Sequence, residues 1–175
     1  PVIELQHQFG EFTPNDVLFS EEEQRLIIIT GPNMSGKSTY CRSIALAAIM
    51  VQIGCFVPAE QAEMKVFDRV FARIGASDHL ASGRSTFMVE MNEVATITSN
   101  ATANSLIILD EVGRGTSTYD GLALATAITQ YINNHIHACT LFATHYHELT
   151  ALESEKGICN YTVSVYEDEK DIVFL

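Results

Sequence analysis

The chain has 175 residues, 47% apolar and 18% charged, which suits one folded domain with a sizeable core and excludes a disordered polymer. Its formal net charge of -12 makes it a poor grip for a nucleic-acid backbone, and no apolar run approaches the roughly 18 residues of a membrane span. The four cysteines, at 41, 55, 139 and 159, form no CxxC pair and read as free thiols in a reducing compartment rather than a zinc site or a disulfide frame.

The opening "PVIELQHQFG" lacks the basic-then-apolar layout of a signal peptide. "PVIEL" (1–5) and "DVLFS" (16–20) read as an antiparallel edge. "LIIIT" (26–30) is the first of three short apolar runs, followed by "LIILD" (106–110) and "CTLFAT" (139–144). Continuous rather than alternating runs are what strands covered on both faces of a parallel sheet require. Residues 37–52, "KSTYCRSIALAAIMVQ", predict a helix buried nearly all round. "RVFARI" (69–74) alternates as a strand does. Residues 86–103 set Phe87, Met91, Val94 and Ile97 near helical spacing, with Glu90 and Glu93 early in the helix, where its dipole favours anions. Residues 119–133 predict a third helix, and "YTVSVYEDEKDIVFL" a hairpin turning near Asp168 to Lys170. The sum is an α/β sandwich with a parallel core sheet and antiparallel additions. No repeat or linker divides it, so 1–175 is expected to be one domain, and its strand-like ends suggest a piece of a longer protein.

In open α/β sheets, ligands bind beyond the carboxyl ends of the parallel strands. Each apolar run delivers polar residues there. The first delivers Gly31-x-x-x-x-Gly36-Lys37-Ser38, a phosphate-binding loop between strand and helix. Its glycines let backbone N–H groups turn inward around phosphate oxygens, and the next helix points its positive end at the same anion. Lys37 is expected to bridge the outer phosphates, and Ser38 to ligate Mg²⁺. The second run ends in Asp110-Glu111. Asp110 is placed to hold Mg²⁺, and Glu111 to polarise a water attacking the last phosphate. The third leads into His145, a candidate sensor of the γ-phosphate; a solvated or core-satisfied histidine is the plain alternative.

Two stretches stay open on residues alone. "ASGRSTFMVEM" (81–91) is either an ordinary N-cap at Ser85 or Thr86, or a second helix N-terminus aimed at a phosphate, in this chain or a neighbour's. "GRGTST" (113–118) is either a surface loop or a subunit contact.

"TGPNMSGKSTY", "ASGRSTFMVEM", "LDEVGRGTSTYDG" and "FATHYHEL" together resemble the ATPase domain of the MutS family of DNA mismatch-repair proteins, over about Pro1 to Leu149. The resemblance implies a P-loop NTPase of the ABC type that works as a dimer with composite nucleotide sites. It implies ATP or ADP contacts from Gly31, Pro32, Asn33, Met34, Ser35, Gly36, Lys37, Ser38 and Thr39, and Mg²⁺ at Ser38 and Asp110. It implies catalytic roles for Lys37, Glu111 and His145, an adenine stack on Phe12, and Ser85 reaching the partner's nucleotide. A second MutS-type subunit, DNA held by mismatch-reading, connector, lever and clamp regions outside this sequence, and a downstream MutL-type repair protein are the implied partners. The implied location is the bacterial cytosol or nucleoid, or the nucleus in a eukaryote. A nucleotide-gated interaction module, a meiotic or recombination-linked relative, and another ABC-type ATPase are the rival readings.

Overall fold

The computed structural model describes residues 14–33, 35–75, 86–163, 165–168 and 171–174. In chain order the elements are β1 (Leu26–Thr30), α1 (Lys37–Gln52), β2 (Val70–Arg73), α2 (Thr86–Asn100), β3 (Leu106–Asp110), α3 (Thr118–Tyr131), β4 (Cys139–Ala143), β5 (Ile158–Thr162), β6 (Val165–Asp168) and β7 (Asp171–Phe174). A π-helical turn, Ile132–Ile136, prolongs α3, and a 3-10 helix, His147–Ser154, joins β4 to β5.

Five strands form one sheet in the order β2-β3-β4-β1-β5, and every pairing in it is parallel. β1, β3 and β4 are buried along their whole length. Alternate residues feed two cores. Leu26, Ile28, Ile107, Leu109 and Phe142 meet α2, α3 and the π-helical turn through Val94, Ile97, Ala125, Ile128 and Ile132. Ile27, Ile29, Ile108 and Leu141 meet Cys41, Ile44, Ala45 and Ala48 of α1 on the other face. Each such branched side chain contributes about 1.5–3 kcal/mol on leaving water. The unbroken apolar runs are therefore two alternating faces, each with its own cover.

The structure departs from the sequence-based expectations in several places. Residues 14–19 form no strand; only a bridge from Ser20 to Gln24 is antiparallel there. The Tyr40 hydroxyl donates to the Asp16 carbonyl (2.8 Å), and Val17 and Phe19 lie against the α1-side core, so side chains rather than a ladder hold this segment. "PVIEL" lies outside the described residues. α1 is not buried all round: Arg42, Ser43, Leu46 and Ile49 are exposed, because the sheet covers only one side of it. α2 stops at Asn100 rather than 103. The Ser105 hydroxyl accepts the Thr102 N–H, and both hydroxyls donate to the Asp68 carboxylate, which turns the chain (Thr102 at 2.6 Å, Ser105 at 2.7 Å). "ICNYT" becomes β5, a parallel edge against β1 that reading the tail as a hairpin alone missed. The hairpin itself is present as β6 and β7, paired from Val165↔Phe174 to Asp168↔Asp171.

α3 comes unusually close to the turn after β3. A methyl group at Gly121 would occupy the positions of the Tyr146 hydroxyl and the Gly113 carbonyl, and one at Gly113 would lie 2.7 Å from the Gly121 carbonyl. Alanine normally stabilises a helix interior relative to glycine by up to about 1 kcal/mol. Here the clash outweighs that gain. Gly121→Ala is expected to lower stability by about 1–3 kcal/mol, read as a fall in the urea midpoint at constant m-value.

Candidate functional site

The register of the central strands levels their carboxyl ends. Ile29 pairs with Ala143, and Ala143 with Asp110. The ladder runs one bond further on each side: the Thr144 N–H donates to Ile29 O and the Glu111 N–H to Ala143 O, both at 2.9 Å. Beyond that level all three chains leave the sheet. The loop 31–36, the Asp110–Glu111 turn and the Thr144–Tyr146 segment therefore leave from neighbouring points, with β4 between β1 and β3.

After β1 the chain must turn sharply into α1. Gly36 caps that helix at φ 91°, a left-handed conformation that a side chain would strain, and no side chain caps the helix there. The first-turn amides are thus available to an anion, and the helix dipole points the same way. Residues Ser35 to Thr39 and Glu111 line a recess of ≈ 180 Å³ over this turn. The Ser35 hydroxyl is buried there without a hydrogen-bond partner among the described residues. The Lys37 ammonium folds back and donates to Gly31 O (2.8 Å) and Pro32 O (2.7 Å). Burial pushes its pKa down, against the opposing pull of Glu111 and Asp110. Gly31 is buried beneath the loop, while Pro32, Asn33 and Thr39 are exposed.

Asp110 closes β3 and is 4% exposed. Burial pushes its pKa up, and the hydrogen bond from the Ser38 hydroxyl works against that; nearby Glu111 raises it further, while Arg42 and Lys37 lower it. Among the described residues its Oδ1 has no hydrogen-bond partner. A buried carboxylate oxygen without a partner, beside a hydroxyl at the mouth of the recess, is a hard-oxygen pair that fits Mg²⁺.

Glu111 sits at φ 52°, a left-handed conformation uncommon outside glycine and a form of strain that collects at functional sites. It lines the recess, and its carboxylate accepts from Arg114 Nη1 at 2.6 Å. His145 follows β4, with loop 31–36 on one side and Asp110–Glu111 on the other. Its half-buried ring lies 4.0 Å from that of Tyr146, centroid to centroid.

The structure thus brings Ser35, Gly36, Lys37, Ser38, Thr39 and Glu111 around one recess, with Asp110 beside Ser38 at its edge. Met34, Phe12 and Ser85 lie outside the described residues. Sequence reasoning left the 113–118 loop between two readings. In the structure Gly113 is buried, Gly115 lies against Phe87, Ser117 caps α3, and Arg114 stands exposed with its guanidinium on Glu111. The three-residue spacing of Glu111 and Arg114 was the one available sign of that pair.

A family model described as MutS domain V matches residues 27–175. The DNA mismatch repair protein MutS of Halothermothrix orenii is 63% identical over 177 residues, an alignment covering 100% of this chain and 20% of that protein. The protein of the same name from Pelotomaculum thermopropionicum is 58% identical over 175 residues, with 100% and 20% covered, and that of Oceanobacillus iheyensis 61% over 176 residues, again with 100% and 20%. The chain spans about a fifth of the length of these curated relatives. Among the described residues, no helix is long and apolar enough to cross a membrane.

The raised Asp110 pKa carries a sign for stability. A carboxyl group whose folded pKa lies above its unfolded value binds more protons folded than unfolded, so its contribution falls as pH rises from the unfolded value of 3.8 through the folded one. At pH 7 the ionised carboxylate therefore opposes folding. Asp110→Asn is expected to raise stability at pH 7 by about 0.5–2 kcal/mol without added metal, and to abolish any stabilisation by Mg²⁺. Thermal melts of both proteins with and without MgCl₂ check this; a destabilised Asp110→Asn, or one that still responds to Mg²⁺, contradicts the assignment.

Proposed function

This chain belongs to the MutS family of DNA mismatch-repair proteins, as its domain V, and we propose that it binds Mg²⁺·ATP and hydrolyses it on behalf of a longer repair protein. The observation that carries this is the unpartnered Asp110 oxygen beside Ser38, next to a recess floored by free helix amides and Lys37. A lone glycine-rich turn would offer the amides. It would not also offer a buried acid and a hydroxyl at the same edge.

In this reading the α1 amides and Lys37 hold the β- and γ-phosphates, Lys37 exchanging its two loop carbonyls for phosphate oxygens. Ser38 and Asp110 would hold Mg²⁺, which supplies positive charge against the negative charge of the transferring phosphoryl group. Glu111 orients a water and accepts its proton as the water oxygen bonds to the γ-phosphorus and the bond to the ADP oxygen breaks. His145 donates to a γ-phosphate oxygen from the β4 side. Catalysis is then positioning and charge stabilisation rather than covalent chemistry. Phe12 would stack on adenine and Ser85, just before α2, would complete the site of a second MutS-type subunit. DNA and a MutL-type protein would be met through regions outside these 175 residues, in the bacterial cytosol or nucleoid. Nucleotide state would bias dimer closure and, through it, the hold on mismatched DNA.

One observation favours the rival reading of ATP as a gate without turnover: the Arg114 ion pair occupies the carboxylate that must meet water. Separating binding from turnover decides between them. Lys37→Ala is expected to weaken nucleotide binding about ten- to a hundredfold, the worth of a charge-assisted bond. Glu111→Ala is expected to leave binding intact and slow single-turnover hydrolysis about 10²- to 10⁴-fold. Turnover should also rise with protein concentration, since half of each site comes from another chain. Equal loss of binding in both variants, or fast turnover independent of concentration, contradicts this reading.

A further inference from the structure

Among the described residues outside the recess, two buried charged groups, Glu90 and Arg73, are not used by the steps above. Glu90, in the second turn of α2, is 4% exposed. Its Oε1 accepts the N–H of Gly113, and its Oε2 lies 3.6 Å from Arg73 Nη2. Arg73, at the end of β2 and 6% exposed, also has Nε 2.9 Å from Glu93 Oε2. The carbonyl of the same Gly113 accepts the Tyr146 hydroxyl at 3.0 Å. Tyr146 is 3% exposed, its N–H donates to the Thr144 hydroxyl at 3.0 Å, and its ring faces that of His145.

We propose that Glu90 and Tyr146 are positioning residues for the hydrolytic step: by gripping the N–H and the C=O of Gly113 they fix the turn that carries Glu111 against the strand tip that carries His145. The inference rests on the ATPase reading and deepens it. Gly113 is two residues from Glu111, and Tyr146 adjoins His145, so the two grips set the separation of the two groups that would act on water and γ-phosphate. Gly121 backs the same point and allows no slack. A carboxylate is a costly acceptor to bury for a neutral amide, since a hydroxyl or amide side chain could take the same bond. Arg73 offsets that cost, and the pair makes the acceptor strong and fixed. Glu90 also lies only four residues, or about 6 Å of helix, from the start of α2. A contact made by a partner at that helix start would reach Glu111 through this carboxylate and Gly113.

The test uses the full-length protein, with ADP affinity, single-turnover ATP hydrolysis and thermal unfolding measured on Glu90→Ala, Glu90→Gln, Tyr146→Phe and the Glu90→Ala/Tyr146→Phe double variant. Glu90→Ala and Tyr146→Phe are each expected to slow hydrolysis about tenfold or more while ADP affinity stays within about twofold, the mark of misplaced groups rather than lost binding. Glu90→Gln keeps an acceptor for the Gly113 N–H and is expected to recover most of the loss. The double variant should be no slower than the slower single, because both act on one residue. Wild-type rates in Tyr146→Phe and Glu90→Gln together with Glu90→Ala, a parallel fall in ADP affinity, or losses that multiply in the double variant would overturn the proposal. If Glu90→Ala fails to fold, Tyr146→Phe, which removes one oxygen, decides by the same split. A wild-type protein that does not hydrolyse ATP, or a Glu111→Ala variant with full turnover, overturns the ATPase reading and this inference with it; wild-type turnover with unaffected variants overturns this inference alone.

Discussion

Parallel pairing of β1, β4 and β3 in one register is the constraint on which the rest of the molecule depends. Once Ile29, Ala143 and Asp110 stand level, the three chains run out of ladder together. Backbone groups past that level need new partners, because buried ones left unpaired are expensive. Each chain finds them differently. The chain after β1 gives its carbonyls at Gly31 and Pro32 to Lys37, and the Ser35 N–H turns back to the Pro32 carbonyl at 3.4 Å. The chain after β3 turns through a left-handed Glu111 and passes the Gly113 N–H to Glu90. The chain after β4 gives the Tyr146 N–H to the Thr144 hydroxyl and returns the Tyr146 hydroxyl to Gly113. Meeting the polar demands of three strand ends is what gathers a lysine, two carboxylates and a histidine at one edge.

The buried charges divide into two kinds. Arg73 with Glu90 is a framework pair: Arg73 Nη2 faces Glu90, its Nε reaches out to the exposed Glu93, and its Nη1 donates to the Ile74 carbonyl. Lys37 and Asp110 are different. Burial lowers one pKa and raises the other, so each is pushed toward its neutral form, and an Asp110 oxygen has no hydrogen-bond partner among the described residues. Groups held this way contribute little to stability by themselves, and perturbed groups of this sort cluster where a ligand completes them. The strained Glu111 backbone belongs with them.

Much of this was written into the sequence, for physical reasons that also mark its limits. "LIIIT", "LIILD" and, but for its last residue, "CTLFAT" were legible as strands because two-sided burial forces branched apolar residues at consecutive positions. α1 was legible to the residue because the loop motif fixes where a helix must start. Strand order was not legible: nothing in a single chain says that β4 lies between β1 and β3. The exposed face of α1 was hidden because Leu46 and Ile49 sit on it, so composition suggested burial where the sheet provides none. β5 was hidden because an edge strand that is half covered needs no apolar run, and "ICNYT" has none. Around the recess, the motif residues were readable, while Glu90 and Tyr146 meet Gly113 across 23 and 33 residues of sequence, a distance over which spacing carries no information.

Strand direction also explains how so acidic a chain can suit an anion. Glu21, Glu22 and Glu23 directly precede β1, and Glu153 and Glu155 precede β5. In a parallel sheet those positions lie at the amino edge, opposite the tips that carry Lys37 and the α1 amides. A five-residue strand separates the two edges by about 17 Å, and screening at physiological salt acts over about 8 Å, so the acidic edge is felt only weakly at the recess. The charge of -12 therefore sets the behaviour of the outer surface, while the field at the strand tips is set locally by one ammonium and a helix end against two carboxylates. On the proposed ATPase reading, those carboxylates disfavour a bare triphosphate and favour one carrying a divalent cation, which joins Asp110 and Lys37 as members of one site.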